Sequence, residues 1–495
     1  MKPKIIRINP DDNVAVASAE LTPGMKVSSE IGELTVTDRV PAGHKISLRD
    51  ISPGENIVKY GFPIGRAVSV IPAGSHVHSH NVKSNLEGQL SYEYTPDFKD
   101  PEPVTPGTFL GYVRADGRVG VRNEVWIIPT VGCVNGTVRE IENRAQKYLT
   151  GSIDAIVSFT HPYGCSQLGS DMQMTLRFLA GLVNHPNAAA VLVVGLGCEN
   201  GNIGELKKVL GNWDERRVRF INSQDFEDEI EAALREIEDL CRYAGSFERE
   251  KCSVSGLTIG LKCGGSDGFS GITANPLLGA FSDRLVAQGG SVILTEVPEM
   301  FGAEQILMNR CRTKKQFDDT VALINGFKSY FTRYGEKIDE NPSPGNRAGG
   351  ITTLEDKSLG CTQKGGTSPV EDVLLYGDPV RKKGLSLLQA PGNDLVASCA
   401  LAASGTQIVL FTTGRGTPFG CPVPTLKISS NTLLYERKPG WIDFDAGCLI
   451  NGMSMGSLCD DFTRLVLDVA SGKKRSKSEA LDRHNLAIFK DGVTL

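Results

Sequence analysis

The sequence predicts an α/β protein: a small N-terminal β domain followed by a large body of two parallel-sheet units. Three observations carry this. Within residues 1–95, short alternating segments are separated by Pro-Gly and Ala-Gly dipeptides, the pattern of short strands joined by tight turns. Residues 96–107 then hold four prolines among several charges, which reads as an extended linker and a domain boundary. From residue 108 onward, continuous apolar runs alternate with glycine turns and helical periodicity, as strands do when helices cover both faces of their sheet.

The elements follow in order. In the β domain, Lys26–Ser29, Glu33–Asp38 and Lys45–Leu48 alternate with turns at Pro23-Gly24, Ala42-Gly43, Pro53-Gly54 and Ala73-Gly74. The first body unit, residues 108–250, reads as strands Glu124–Thr130, Asp154–Thr160, Ala188–Val194 and Arg217–Ile221, with helices Thr137–Leu149, Asp171–Val183, a segment after GLGCENG, and Asp225–Tyr243. The second, residues 251–495, reads as strands Leu257–Leu261, Ser291–Thr295, Leu385–Leu388 and Gln407–Thr412, with helices Thr320–Arg333 and Leu395–Ser404. Asn341–Thr367 is rich in glycine and lacks periodicity, which reads as an active-site loop. Right-handed crossovers would set the strand-to-helix turns along one edge of each sheet, where such folds bind ligands.

Composition narrows the function classes. Among 495 residues, 53 basic and 58 acidic side chains leave a net charge of −5, which argues against a general nucleic-acid binder. No apolar run approaches the ~18 residues of a membrane span, and the first residues turn to proline and aspartate where a signal peptide would stay apolar. A soluble cytoplasmic protein is expected. In that reducing compartment the twelve cysteines serve packing or chemistry rather than disulfides.

Several groups could carry chemistry. His76, His78 and His80 alternate in GSHVHSHN, so on an extended segment their imidazoles share a face and can converge on one ion. Cys133, Cys165, Cys198 and Cys263 each follow a predicted strand, and Cys361 lies in the glycine-rich stretch. Thiolates gathered on that edge suit a single ion or an iron–sulfur cluster. Gly195-x-Gly197 lacks the third glycine of a dinucleotide turn, which argues against a nicotinamide enzyme. Ser266, Asp267, Asn275, Glu355, Lys357, Lys364 and Arg415 sit on glycine-rich turns and suit a polyhydroxylated anion. His161 follows the second strand and is a candidate general base, and Lys357 and Lys364 are candidates for the same proton chemistry. Arg122 is a candidate carboxylate clamp.

The runs HVHSHN, VGCVNG, HPYGCSQLG, GLGCEN, CGGSDGFSGITANP, EVPEMFGAEQ, NPSPGNRAGGITTLEDKSLGCTQKGG and APGND through TGRGTP resemble the altronate and galactarate dehydratase family. WIDFDAG (Trp441–Gly447) and AIFKDGVTL (Ala487–Leu495) resemble its altronate branch. The likeness spans essentially the whole chain. It implies an N-terminal SAF-type β domain, a linker and a body with Rossmann-like halves. It also implies a hydro-lyase that converts D-altronate to 2-dehydro-3-deoxy-D-gluconate in hexuronate catabolism, using ferrous iron or manganese. Galactarate dehydration, or sulfo-lyase action on a hydroxy sulfonate, is the alternative within the family.

Such a reaction removes the proton alpha to a carboxylate and expels the neighbouring hydroxyl, which a divalent ion can assist as a Lewis acid. The ion is expected where His76 and His78 meet the body, with Cys133, Cys165 and Cys198 as further candidate ligands and an iron–sulfur cluster as the alternative. The expected partners are a sugar-acid substrate and further copies of the chain.

Overall fold

The computed structural model describes residues 5–29, 32–86, 88, 90–481 and 484–492. The N-terminal domain is all antiparallel. A four-stranded sheet in the order Ile5–Ile6, Val14–Ala17, Lys45–Ser47, His76–Val77 accompanies a three-stranded sheet of Asn56–Lys59, Phe62–Ala67 and Val82–Lys83, with the hairpin Lys26–Ser29/Gly32–Thr35 alongside. The turn glycines Gly24, Gly43, Gly54 and Gly74 all adopt φ between +78° and +83°, a conformation that costs other L-residues energy. The segment 95–107 carries neither helix nor strand.

The first body sheet is parallel, with strands β1 (Glu124–Pro129), β2 (Ala155–Ser158), β3 (Ala188–Gly195) and β4 (Val218–Asn222) in the order β2-β1-β3-β4. Helices α1 (Asn135–Ala145), α2 (Gly169–Val183), α3 (Ile203–Leu210) and α4 (Glu229–Ala244) follow these strands. In α4, Ala233, Leu234, Ile237, Leu240, Cys241 and Ala244 recur at helical spacing and are buried, and Asp228 caps its start by accepting from Glu231 N.

The second sheet has seven parallel strands: β5 (Thr258–Cys263), β6 (Ser291–Leu294), β7 (Val370–Leu374), β8 (Gly384–Leu388), β9 (Ile408–Thr413), β10 (Thr425–Ser429) and β11 (Phe444–Asp445). Their order is β7-β8-β6-β5-β9-β10-β11. The topological switch therefore falls between β5 and β9, where doubly wound sheets open a ligand crevice. The helices between β5 and β9 are α5 (Ala274–Ala287), α6 (Glu304–Asn309), α7 (Lys314–Arg333), α8 (Pro344–Ala348), α9 (Leu354–Thr362) and α10 (Asp394–Ala403). No helix among the described residues is long and apolar enough to cross a membrane.

Two features depart from the sequence reading. Thr108–Val113 pairs antiparallel with Val119–Gly120 and Glu250–Ser253 in a separate three-stranded sheet. The stretch expected as a loop, Asn341–Thr367, is instead α8, α9 and a 3-10 turn at Gln363–Gly365. Every residue of α9 is buried, so it has no polar face, and the apolar–polar period that marks a helix in sequence is missing.

Helix α9 also anchors the β domain. Its Leu359 joins the domain's core beside Ile51, Ile57, Ile64 and Val77. Asp356 on the same helix accepts from Lys45 Nζ at 2.7 Å and Lys59 Nζ at 2.9 Å, all three side chains being buried. Burial alone would raise the Asp356 carboxyl, but the two ammoniums hold it well below its ordinary range. Burial, eased in part by Asp356, brings Lys45 down to about 8.

Removing Asp356 strands two buried cations. Asp356→Ala is therefore expected to cost roughly 3–5 kcal/mol of unfolding free energy, read by urea titration at neutral pH. A carboxyl with a depressed folded-state pKa stabilises fully above its ordinary value of 3.8 and loses that contribution as the pH falls further. The gap between wild type and Asp356→Asn should accordingly close in acid. A neutral-pH loss under about 1 kcal/mol, the scale of an exposed pair, would contradict the clamp.

Candidate active site

At the end of β5 and the turn after β6, the second sheet gathers an unusual set of buried groups. β5 ends in Lys262 and Cys263, both buried. The turn after β6 carries Glu296 and Glu299, and α9 presents Lys357 and Cys361, which at i and i+4 share one face. Lys364 follows on the 3-10 turn.

Glu299 Oε2 lies 3.3 Å from Cys263 Sγ and 3.2 Å from Cys361 Sγ, and the two sulfurs are 3.3 Å apart. Lys364 Nζ donates to Cys263 Sγ at 2.9 Å, and Lys357 Nζ meets Glu299 Oε1 at 2.8 Å. Glu296 sits in the left-handed region at φ 69°, a strain that persists only where surroundings fix it. Here Lys262, the Cys263 amide at 3.0 Å and Lys364 at 3.1 Å all bind its carboxylate.

The charges set one another. Burial would raise Glu299, but Lys357, Lys262 and Lys364 together hold it down to about 2. Burial would lower Lys357 and Lys364, yet Glu299 outweighs it for the first and Cys263 with Glu296 for the second, so both are raised. At neutral pH this site therefore presents charged lysines and an ionised Glu299.

Above it opens a cavity of about 640 Å³ lined by Glu299, Asn341, Asn346, Lys357, Asp394 and Thr417, among others, within the ~300–1,000 Å³ span of small-molecule clefts. A second cleft, of about 550 Å³, lies among the strand starts Thr258 and Ser291. It is lined by Arg118, Arg177, Arg381 and Lys382 but by no thiol.

The structure sorts the residues singled out in the sequence. Lys357, Lys364, Cys263 and Cys361 meet in this centre. Without a bound ion both lysines are held as ammonium ions, the form that donates a proton rather than accepting one. Arg415 is exposed near the rim, its side chain beside Gly265 and Gly345. Ser266 is buried, with its hydroxyl unpartnered, on a small cavity next to Cys361. Asp267 and Asn275 are corrected from substrate binding to scaffolding. Asp267 accepts from Ser270, Ser430 and Asn431, and Asn275 is spent on Gly360 O and Thr412 Oγ1. Glu355 is likewise held by Ser84 and Asn85.

His161 is buried. Its Nδ1 accepts from Tyr163 N and its Nε2 reaches Pro129 O at 2.8 Å, so both nitrogens are committed and it is no general base. Arg122 lies just before β1, away from the ligand edge, and pairs with Glu479 at 2.6 Å. It locks the C-terminal segment rather than clamping substrate.

His76 and His78 do reach the domain interface, joined by His44, which the sequence reading missed because it stands on a separate strand turn. His44 Nδ1 and His76 Nε2 are 3.0 Å apart, and His78 Nδ1 meets Thr352 Oγ1 at 3.1 Å. His80 lies against His76 with ring centroids 5.3 Å apart. Burial, above all, lowers His76 to about 4 and His78 to about 3, so these rings are neutral. Cys133, Cys165 and Cys198 are exposed at the ends of β1, β2 and β3, in the other body unit.

Among the described residues, one trio of His, Cys, Asp or Glu brings a ligand atom of each within 4.8 Å of the others: Cys263, Glu299 and Cys361. On spacing, two sulfurs and a carboxylate oxygen could share a single ion here, with Lys364 and Lys357 already bonded to Cys263 and Glu299. Glu296 and Glu299 were foreseeable in kind, since EVPEMFG places two carboxylates directly after a predicted parallel strand.

A doubly wound sheet whose ligand edge concentrates ionised lysines, carboxylates and thiols under a polar cavity defines an enzyme for small anionic substrates. The chain belongs to the D-galactarate/altronate dehydratase family. The family's C-terminal model ("D-galactarate/Altronate dehydratase, C-terminal") matches residues 254–494, its second domain ("D-galactarate dehydratase/Altronate hydrolase, second domain") 111–245, and the "Altronate/galactarate dehydratase SAF domain" 3–85. Altronate dehydratase of Escherichia coli (strain K12) is 52% identical over 493 residues, 99% of each chain. Altronate dehydratase of Bacillus subtilis (strain 168) is 52% identical over 495 residues, again 99% of each. Galactarate dehydratase (L-threo-forming) of Escherichia coli (strain K12) is 33% identical over 98% of this chain and 96% of its own.

Cys361 is pushed well up by its contact with Cys263 and by burial, so an entering cation must displace a proton. Cobalt(II) titration should therefore yield a thiolate-to-cobalt absorption that strengthens as pH is raised and is lost in Cys361→Ser. Undiminished absorption in both Cys361→Ser and Cys263→Ser would place the ion elsewhere.

Proposed function

We propose that this chain is a hydro-lyase that dehydrates D-altronate to 2-dehydro-3-deoxy-D-gluconate at the cavity over Glu299 and Lys357. The observation that carries the reading is 52% identity to two altronate dehydratases over 99% of the chain, against 33% to the galactarate enzyme. The cavity supports it: Asn341, Lys357, Asp394 and Thr417 line it, polar groups that can meet a polyol chain. All twelve cysteines are free, which suits a reducing cytoplasm.

In this reading Arg415, at the rim, steers the substrate carboxylate inward. A divalent ion held by Cys263, Glu299 and Cys361 would supply Lewis-acid stabilisation of the charge that develops beside the carboxylate. Asp394 lines the cavity, with its carboxylate at 3.2 Å from Lys262 and its side chain 40% exposed, and it takes the C2 proton. Lys357, an ammonium in the ion-free site, protonates the departing 3-hydroxyl. The resulting enol tautomerises to the 2-keto acid. Asn341 and Asn346, hydrogen-bonded to Lys357 at 3.1 and 3.3 Å, keep its ammonium aimed, since orientation supplies much of such rate gains.

Anaerobic assay with ferrous iron should release 2-keto acid from D-altronate and much less from galactarate. Lys357→Met and Asp394→Asn should each lower kcat by roughly 10²–10⁴-fold, whereas His161→Gln should stay within a few-fold of wild type. D-altronate recovered unchanged while galactarate or a hydroxy sulfonate reacts would overturn the substrate. Full activity in Lys357→Met would overturn the site.

A further inference from the structure

Nothing in the proposed dehydration uses the ligand edge of the first sheet, yet that edge is built around three thiols. Cys133, Cys165 and Cys198 follow β1, β2 and β3, three neighbouring strands of one parallel sheet. They are the exposed cysteines; the other nine are buried or partly so. Free cysteine is ordinarily among the most buried residue types, so three exposed thiols at one edge call for a role.

The turns that carry them are knitted together. Gly132 N donates to Tyr163 O at 2.8 Å, and Asn135 Nδ2 to His161 O at 2.9 Å, which ties the first turn to the second. Ser166 N donates to Asn200 Oδ1 at 3.1 Å, tying the second to the third. Thr130 Oγ1 bonds Glu199 and closes the ring from third to first. Gly164, just before Cys165, adopts φ +99°, and a Cβ there would lie 2.1 Å from Thr130 O, so the close approach of these turns depends on it. The thiols themselves make only long contacts: Cys165 Sγ is 3.6 Å from Ser166 Oγ, and Cys198 Sγ is 3.7 Å from Gln224 Nε2.

Each thiol also precedes a helix. Cys133 stands just before α1, Cys165 before α2 and Cys198 before α3. Helix starts carry positive partial charge, so three of them face the edge where the sulfurs lie. That polarity favours an anionic group with thiolate ligands. The three sulfurs are not within one ion's reach, since the trio within 4.8 Å is the other one. Thiolates on different irons of a cluster stand further apart than ligands sharing one ion.

We propose that Cys133, Cys165 and Cys198 ligate a four-iron iron–sulfur cluster on this edge, leaving one iron without a protein thiolate and open to an oxygen ligand from solvent. His161, whose nitrogens are both committed, is not the fourth ligand. The site is independent of the dehydratase reading, because its assembly is read without substrate.

The test is anaerobic reconstitution of the full chain with ferrous iron and sulfide. Wild type should gain about four irons and four sulfides per chain with broad visible absorbance. Cys133→Ser, Cys165→Ser and Cys198→Ser should each lose most of both, with unchanged far-ultraviolet circular dichroism because the side chains are exposed. Cys263→Ser and Cys361→Ser should retain them. Ferricyanide should then take one electron from the cluster as the unprotected iron leaves as Fe²⁺, converting [4Fe–4S]²⁺ to [3Fe–4S]⁺ with its paramagnetic signal. Absence of labile sulfide in reconstituted wild type would overturn the proposal, as would equal sulfide in the triple serine variant. A cluster that keeps four irons through that oxidation would overturn the open site.

Discussion

The complete burial of α9 is the constraint on which the rest of the architecture depends. Nine residues without a solvent face hold two carboxylates, an ammonium and a thiol, and each must find its partner inside the protein or cost several kcal/mol. Asp356 finds Lys45 and Lys59 of the β domain, Lys357 finds Glu299 of the β6 turn, and Cys361 finds Cys263 at the end of β5. One helix thus fixes how the small domain docks and how the catalytic edge is arranged. A shift of the β domain would disturb Asp356, one residue away from the lysine that faces the cavity.

The same burial makes the site electrostatically preorganised. Three lysines and three carboxylates lie around two sulfurs, so their charges are set before substrate arrives. Groups fixed in this way need not reorient as charge develops in the reaction, which is where enzymes gain most of their electrostatic advantage. The fixed charges also hold both lysines in the protonated form when no ion is bound. Glu299 stabilises the ammonium form of Lys357, and Cys263 that of Lys364.

Much of the body was legible because its strands are buried on both faces. AAAVLVV and QIVLFT cannot be read as anything that faces solvent, and the turns after them fell on the ligand edge as topology requires. The active centre was legible only in part. Cys263, Cys361, Lys357 and Lys364 stand out as chemistry-bearing residues on glycine-rich segments. Their partners Glu296 and Glu299, and His44 beside His76, come from remote segments, and only the tertiary fold brings them together. Helix α9 was read as a loop for the reason that makes it important: buried polar residues on every face erase its period. His161 and Arg122 misled because a histidine or arginine near a turn has the same sequence signature whether it binds a ligand or the backbone.

Whether chemistry occurs at the end of the seven-stranded sheet is tested most directly by a crystal structure of the iron-loaded enzyme with a 3-deoxy aldonate. That compound lacks the hydroxyl to be expelled and so should remain bound. Density for the sugar-acid chain is expected between Lys357, Asp394 and Asn346, with its carboxylate toward an ion beside Glu299. Density on the edge of Cys133, Cys165 and Cys198, with the cavity over Lys357 empty, would contradict it.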